Sequence, residues 1–202
     1  MEHLAMAVTE ILLSKGIIQV ETSARHVHLS KGDVEQLFGV GYILKKKRNL
    51  SQKGQYVCEE KVTLVGSKGE KKLSVLGPTR EKTQIEISQG DCLSLGMDAP
   101  IRLSGDLLAS GSAVLKGPNG VVALTEGAII AKAHIHMTPE LAEKLGIRDR
   151  AKVAVELFTE RPVLIKDVIV RVSQDATSKV HIDTDESNAA GCKGFTLGRI
   201  IQ

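Results

Sequence analysis

Four of the six histidines in the chain fall in two His-x-His pairs, His26-Val27-His28 and His134-Ile135-His136. On a β-strand residues i and i+2 point to one face, so each pair aims two imidazoles at one point. Val27 and Ile135 then turn the other way, into apolar packing. Two neutral imidazoles at this spacing suit a first-row metal, zinc foremost. A single His-x-His also occurs on strands that bind nothing; a second copy in the same local context carries more weight. A further imidazole, His181, opens the stretch His181-Ile182-Asp183-Thr184-Asp185-Glu186-Ser187-Asn188-Ala189-Ala190-Gly191. Acids followed by small residues pack poorly as core, so this stretch reads as a site in preference to a solvated loop. Between the pairs stands Arg80, after Gly77-Pro78-Thr79, which reads as a turn. Its guanidinium can hold a phosphate through two parallel hydrogen bonds. Glu86, between Ile85 and Ile87, faces away from their apolar side. A surface ion pair for Arg80 and a solvated strand face for Glu86 are the bland alternatives.

The elements that must carry these residues repeat. After the first pair, Ser30 and Asp33 read as a capping box, with Val34, Leu37 and Phe38 at helical spacing and Gly39 as a stop. After the second, Thr138 caps, Pro139 opens the helix, Glu140 sits in its first turn, Leu141 and Leu145 share a face, and Gly146 ends it. Each half of the chain therefore reads strand, His-x-His, capped short helix, glycine.

The rest of the pattern is mostly β. Lys61–Val65, a turn at Gly66–Gly69 and Lys72–Leu76 form a hairpin pattern, repeated by Ala113–Leu115, Gly117–Gly120 and Val121–Leu124. Ala151–Leu157, Val163–Ile165 and Val168–Val172 add strands in the final third. Such short strands between glycine turns predict small barrels or sandwiches with short helices as caps. Residues 1–15 set Leu4, Val8, Ile11 and Leu12 on one face of an amphipathic helix, before the strand Ile17–Val20. That helix packs on its own domain or docks on another protein. Segment 40–60 carries the basic run Lys45–Arg48 and a turn at Lys53-Gly54, read as a solvated loop or hairpin.

Composition narrows the function classes. At 202 residues the chain fits one large or two small domains. A net charge of +3 and an aromatic content of 2% without tryptophan argue against a nucleic-acid surface. The three scattered cysteines, Cys58, Cys92 and Cys192, suit a reducing interior. No apolar run reaches the roughly 20 residues of a membrane span, and no secretory signal pattern opens the chain. The expectation is a soluble, intracellular protein without membrane or nucleic-acid partners.

Four motifs in order carry a resemblance: Arg-His-Val-His-Leu-Ser at 25–30, Gly-Pro-Thr-Arg with Gln-Ile-Glu-Ile-Ser at 77–88, His-Ile-His-Met-Thr-Pro-Glu at 134–140, and His-Ile-Asp-Thr-Asp-Glu with Asn-Ala-Ala-Gly at 181–191. From about Val20 to the C-terminus the chain looks like the PduL family, phosphate acyltransferases associated with bacterial microcompartments. The resemblance implies two small interleaved β-barrels capped by short α-helices, after an N-terminal amphipathic helix at 1–16. One barrel takes 17–25 and 132–202, the other 26–131 with its basic insertion near 40–60, and both histidine pairs face one cleft. It implies two zinc ions, one on His26, His28 and Glu86 and the other on His134, His136 and His181; which ion takes Glu86 and which His181 stays the open part of that split. Arg80 falls on the family's phosphate-binding arginine. Thr22, Ser23, Ala24 and Asn188 match positions that contact coenzyme A. Ala24 stands where many members have asparagine, removing that side chain's contact. Ser74 stands where members often carry a basic residue, with Lys72 or Lys68 as substitutes.

The implied reaction is acyl-CoA plus phosphate giving acyl phosphate plus CoA, in a homodimer resident in a microcompartment lumen, with the N-terminal helix as a docking element for shell or lumen proteins. No Ser-His-acid arrangement is evident, so direct phosphate attack is expected in place of an acyl-enzyme. Cys192 is the one conceivable nucleophile and reads instead as a small packed residue. A zinc-dependent thioester hydrolase and a structural zinc or scaffold protein are the competing readings. Three ligands per ion leave positions open, which favours catalysis over structure.

Overall fold

The computed structural model describes the backbone of residues 2–202 and the side chains from Met6 onward; the side chains of His3 and Leu4, assigned above to the first helix, lie outside the described residues. The chain forms two compact units, Met1–Ser23 with Lys132–Gln202, and Ala24–Ala131. Both are mainly β.

The first unit opens with helix α1 (Glu2–Ser14) and strand β1 (Ile17–Ser23). The second unit then runs β2 (His26–Ser30), α2 (Lys31–Phe38), β3 (Lys46–Asn49), β4 (Tyr56–Val65), β5 (Glu70–Arg80), β6 (Gln84–Ile87), α3 (Gln89–Leu95), β7 (Ile101–Arg102), β8 (Gly111–Lys116) and β9 (Val121–Ala131). The chain returns to the first unit with β10 (His134–Met137), α4 (Pro139–Leu145), β11 (Lys152–Leu157), β12 (Val163–Val172), β13 (Lys179–Asp183), α5 (Thr184–Ala190) and β14 (Thr196–Ile201).

In the first unit β1-β13-β10-β12-β11-β14 closes into a six-stranded barrel. In the second, β4-β5-β2-β6-β9 closes through β8, which pairs with both β4 and β9; β3 and β7 lie outside that ring. Closure removes the sheet edges that short strands would otherwise expose. The two rings follow one plan. The His-x-His strand pairs in parallel with the long strand β5 or β12 and antiparallel with β6 or β13, which is followed by a short helix. The sequence repeat therefore extends to whole barrels.

Alternation fills each core: Val27, Leu29, Leu64, Leu73, Val75, Ile85 and Leu115 are buried in the second unit, and Val20, Ile135, Met137, Val155, Val170, Val180 and Ile182 in the first. The residues between them, including both histidine pairs, point to the other face. The helix caps hold each His-x-His strand at its end. Ser30 Oγ accepts from the Asp33 N–H, and Thr138 Oγ1 accepts from the Leu141 N–H.

Two readings are corrected by the fold. Gly77-Pro78 is not a turn but the last part of β5, where the Tyr56 ring lies so close that a Cβ on Gly77 would meet it at 2.3 Å. Glycine is needed there for the ring's approach and not for chain reversal. Val163–Ile165 and Val168–Val172 are one strand, interrupted by Asp167 at φ +60°. Of the two readings of the basic segment, the hairpin is the one observed: β3 pairs antiparallel with β4.

Helix α1 contacts β1 and α4, with Leu13 against the apolar core of the first unit. Of the apolar stripe read from the spacing, Val8 and Ile11 are 46% and 61% exposed. So little burial predicts that deleting residues 1–15 leaves the fold intact and lowers stability by roughly 1 kcal/mol, mainly from Leu13. Chemical unfolding of the truncated chain checks this; loss of the fold would show that α1 completes the core.

Candidate metal centres and the arginine beside one of them

In the second unit β2 and β6 set His26 opposite Glu86. With His28 these side chains bring one ligand atom each within 4.8 Å of one another, and all three are buried. The His26 Nδ1–H donates to the Ala24 carbonyl at 2.9 Å, which leaves the Nε2 lone pair aimed at Glu86 Oε2, 3.5 Å away. Two lone pairs facing each other call for a proton or a cation between them. Burial works against a charged His26, yet the Glu86 carboxylate outweighs it and raises the pKa. Burial likewise opposes ionised Glu86, but His26, His28 and Arg80 hold its carboxyl below the usual carboxylate range. His28 is pushed down to about 3 by burial, then by His26 and Arg80, so it stays neutral, the form that ligates metal. Its Nδ1 is buried without a hydrogen-bond partner. The donor set and its charge fit a divalent cation such as zinc.

Arg80 ends β5 beside this set. One guanidinium N–H donates to His28 Nε2 at 2.8 Å and another to Ser104 Oγ at 3.1 Å. Two cavities meet at the arginine: about 230 Å³ lined by His28, Lys53, Gly54, Gln55, Pro78 and Arg80, and about 490 Å³ lined by residues including Gln84, Gly105 and Leu107. Spacing alone did not single out Gln84 or Ser104. Gln84, 1% exposed, donates to Glu86 Oε1 at 2.5 Å and to Ser104 Oγ at 2.8 Å, while its own carbonyl accepts from Gly105 N–H at 2.7 Å. The carboxamide thus ties the metal-ligand set to the loop that holds Arg80. A glutamine two residues from a strand glutamate is an i, i+2 neighbour on the same face, a signal available in the sequence; Ser104 had none.

Gln84→Met is expected to weaken zinc binding at this set by roughly 10- to 100-fold, because Glu86 loses the donor that orients it. Chelator-competition titration reads this directly. Unchanged affinity would reduce Gln84 to a packing residue.

The first unit repeats the geometry with a third imidazole in place of the acid. β10 and β13 set His134 opposite His181, and these two with His136 again bring one ligand atom each within 4.8 Å. His134 Nδ1–H donates to the Lys132 carbonyl at 2.9 Å, the counterpart of His26 and Ala24. Its bare Nε2 lies 3.2 Å from His136 Nε2. His181 Nε2 is buried without a hydrogen bond, 3.4 Å from a Glu21 carboxylate oxygen. This centre too fits a cation. Two residues beside it were missed: Glu21, which lies opposite His181 and ion-pairs with Lys179, and Arg171, opposite His136 on β12. Only the strand register reveals either.

Thr22 and Ser23 end β1, level with Ile182 and Asp183. Thr22 Oγ1–H donates to Ser187 Oγ at 2.8 Å, one residue before the exposed Asn188 on α5. Ala24 belongs to the second unit and offers its carbonyl to His26. Lys68 lies at the tip of the β4–β5 hairpin, six residues from Ser74, with its backbone N–H bonded to the Leu95 carbonyl.

On α5, Glu186 closes a capping box by accepting from the Asp183 N–H at 2.9 Å. Burial, then Asp183 and Asp185, push its carboxyl up to about 7, against the backbone bond and Lys132. Because the folded pKa lies above the unfolded one, the folded chain binds more protons between the two. Stability therefore falls as pH rises from about 4.5 to 7, and the full cost persists above that. Glu186→Gln keeps the acceptor and removes the charge. The variant should match the parent near pH 4.5 and exceed it at pH 8 by about 1 kcal/mol, allowing for partial exposure. Denaturant unfolding in chelator at both pH values tests this, and equal stability at pH 8 would refute it.

Comparison with known proteins agrees over the length that carries these centres. A family model described as phosphate propanoyltransferase matches residues 19–193. The chain is 45% identical to the phosphate propanoyltransferase of Clostridioides difficile (strain 630), over 100% of this chain and 99% of that protein. It is 46% identical to the phosphate propanoyltransferase of Listeria monocytogenes, over 95% and 90% of the two chains, and 46% identical to that of Thermotoga maritima, over 99% and 96%. With nearly the whole of both chains aligned at such identity, this chain belongs to the phosphate propanoyltransferase family.

Proposed function

We propose that this chain is a zinc-dependent phosphate acyltransferase that converts acyl-CoA, propanoyl-CoA and its short homologues among them, and phosphate into acyl phosphate and CoA. The observation that carries the reading is Arg80, whose guanidinium touches both a candidate metal ligand, His28, and Ser104 at the edge of two cavities. A phosphate held there meets the paired N–H fork of Arg80. Ser104 Oγ accepts from Arg80 and Gln84, which leaves its own O–H to donate to a phosphate oxygen. Holding the anion in place removes the entropy of encounter from the reaction barrier.

Attack forms a carbon–oxygen bond from phosphate to the thioester carbonyl and breaks the carbon–sulfur bond, with CoA leaving as thiolate. Zinc, when bound at these centres, supplies Lewis acidity at the carbonyl and counter-charge to the thiolate. Direct attack suits the thiols of the chain: Cys58 and Cys92 are buried, with Cys58 pushed up to about 11 by burial and then by Glu60, and Cys192 is half-buried, packed against the core of the first unit. Residence in a microcompartment and assembly as a homodimer complete the reading.

Zinc-loaded protein given acyl-CoA with and without phosphate tests it. Acyl phosphate should accumulate only with phosphate, in step with CoA release. Phosphate-independent release of the carboxylic acid would replace this function with thioester hydrolysis.

A further inference from the structure

Strand order places a carboxylate beside the first-unit histidines that the second unit does not repeat. Glu21 of β1 lies opposite His181 of β13, and His181 lies opposite His134 of β10, so one row across three strands runs Glu21–His181–His134. Cross-strand neighbours lie about 5 Å apart, within reach of a side chain as long as glutamate. Glu21 Oε2 stands 3.4 Å from His181 Nε2, a nitrogen that is buried and makes no hydrogen bond. The other carboxylate oxygen takes the ammonium of Lys179, two residues from His181 on the same strand. Two ligands of a tetrahedral ion, on bonds of about 2.0–2.1 Å, lie about 3.3 Å apart. His134 Nε2 to His136 Nε2, at 3.2 Å, and His26 Nε2 to Glu86 Oε2, at 3.5 Å, are separations of that size, and so is His181 to Glu21.

The second unit supplies an internal comparison. By strand order and register its row Ile129–Glu86–His26 corresponds to Glu21–His181–His134. There the third member of the ligand set is itself the acid, and its outer neighbour is the buried, apolar Ile129. In the first unit the third member is an imidazole and the outer neighbour is the acid. Each row thus carries one carboxylate, set one strand further out where histidine has taken its place. Charge points the same way. A divalent cation on two neutral imidazoles and Glu86 keeps one positive charge, whereas three neutral imidazoles leave two. Those two would lie beside Arg171 and Lys179, which flank His136 on β12 and β13. Like charges so placed repel, and the Glu21 carboxylate offsets them.

We infer that Glu21 is a fourth protein donor to the first-unit centre, its carboxylate closing on the ion that His134, His136 and His181 hold. This rests on the metal dependence proposed above. Zinc takes carboxylate oxygen alongside imidazole nitrogen, and a carboxylate lowers the charge of the centre where a fourth imidazole would not. Lys179 gives the same carboxylate a second partner, so Glu21 can leave the ion without becoming an unpaired charge. The fourth position is filled at rest and can be vacated, which keeps the centre compatible with catalysis.

The test compares Glu21→Gln, which keeps the shape and removes the charged donor, with Lys179→Met, which removes the carboxylate's other partner. Zinc affinity of the full chain is read by chelator competition, one equivalent at a time. Glu21→Gln should weaken one equivalent by roughly 100-fold or more, beyond the ~10- to 100-fold typical of a group that only orients a ligand, and leave the other unchanged. Lys179→Met should hold zinc at least as tightly as the parent, because the carboxylate is released to the ion. With cobalt(II) in place of zinc, the visible absorption should change between parent and Glu21→Gln as the donor set changes. An unchanged cobalt spectrum, or zinc held equally by parent and Glu21→Gln, overturns the inference. So does a Lys179→Met protein that loses zinc as Glu21→Gln does, which would mark Glu21 and Lys179 as a structural ion pair. Metal uptake by the parent that His134→Ala leaves unchanged would instead refute the metal centre of the first unit, and the role of Glu21 with it.

Discussion

Arg80→Lys should lower kcat and raise the KM for phosphate, with a combined loss of roughly 30- to 1000-fold, the equivalent of ~2–4 kcal/mol of charge-assisted contact retained in the transition state. Lysine keeps the charge but cannot present two parallel N–H groups to phosphate, nor span His28 and Ser104 as Arg80 does. The contact with His28 makes the variant more informative than charge alone would suggest. If Arg80 acted chiefly by orienting His28, its loss would appear as weaker zinc binding with little change in the KM for phosphate. A role in holding the nucleophile predicts the reverse, since His26, His28 and Glu86 all remain. Phosphate varied at saturating acyl-CoA, together with zinc content, separates the two. Unchanged phosphate kinetics would remove Arg80 from the reaction.

His134→Ala should cost about one equivalent of zinc per chain and lower phosphate-dependent turnover by on the order of 10²- to 10³-fold. His134 is the best-oriented donor of its centre. Its Nδ1–H is committed to the Lys132 carbonyl, and its Nε2 faces His136 at 3.2 Å and lies in the ring cluster with His181. The centre built on His26, His28 and Glu86 takes all its ligands from the other unit and should keep its ion. Metal analysis of parent and variant, dialysed identically, measures the difference. Loss of both equivalents would mean the two centres depend on each other, and loss of none would clear the histidines of the first unit of metal binding.

Much of this molecule is readable from local spacing. Histidines two apart on a strand must share a face, and each pair is followed at once by a helix whose cap, Ser30 or Thr138, is written in the next residue. Short alternating strands between glycine turns predict barrels or sandwiches, and the observed rings are barrels. Where a local rule had two solutions, the reading went astray. Gly77-Pro78 can make a turn or a strand crossed by a ring, and only Tyr56, more than 20 residues away, decides between them. The spacing of α1 defines an apolar stripe and leaves open whether it packs or docks; in the fold Val8 and Ile11 of that stripe are exposed.

The sequence by itself determined the donor types and their pairing along each strand, because side-chain direction in a strand follows from chain geometry alone. Which third ligand joins each pair was decided by tertiary structure. Glu86 and His181 come level with His26 and His134 only through the antiparallel register of β6 and β13, a property of cross-strand hydrogen bonding that no local window contains. The same holds for the bonds from Arg80 to His28 and Ser104. Local chemistry chose the groups; closing two rings of strands chose their neighbours.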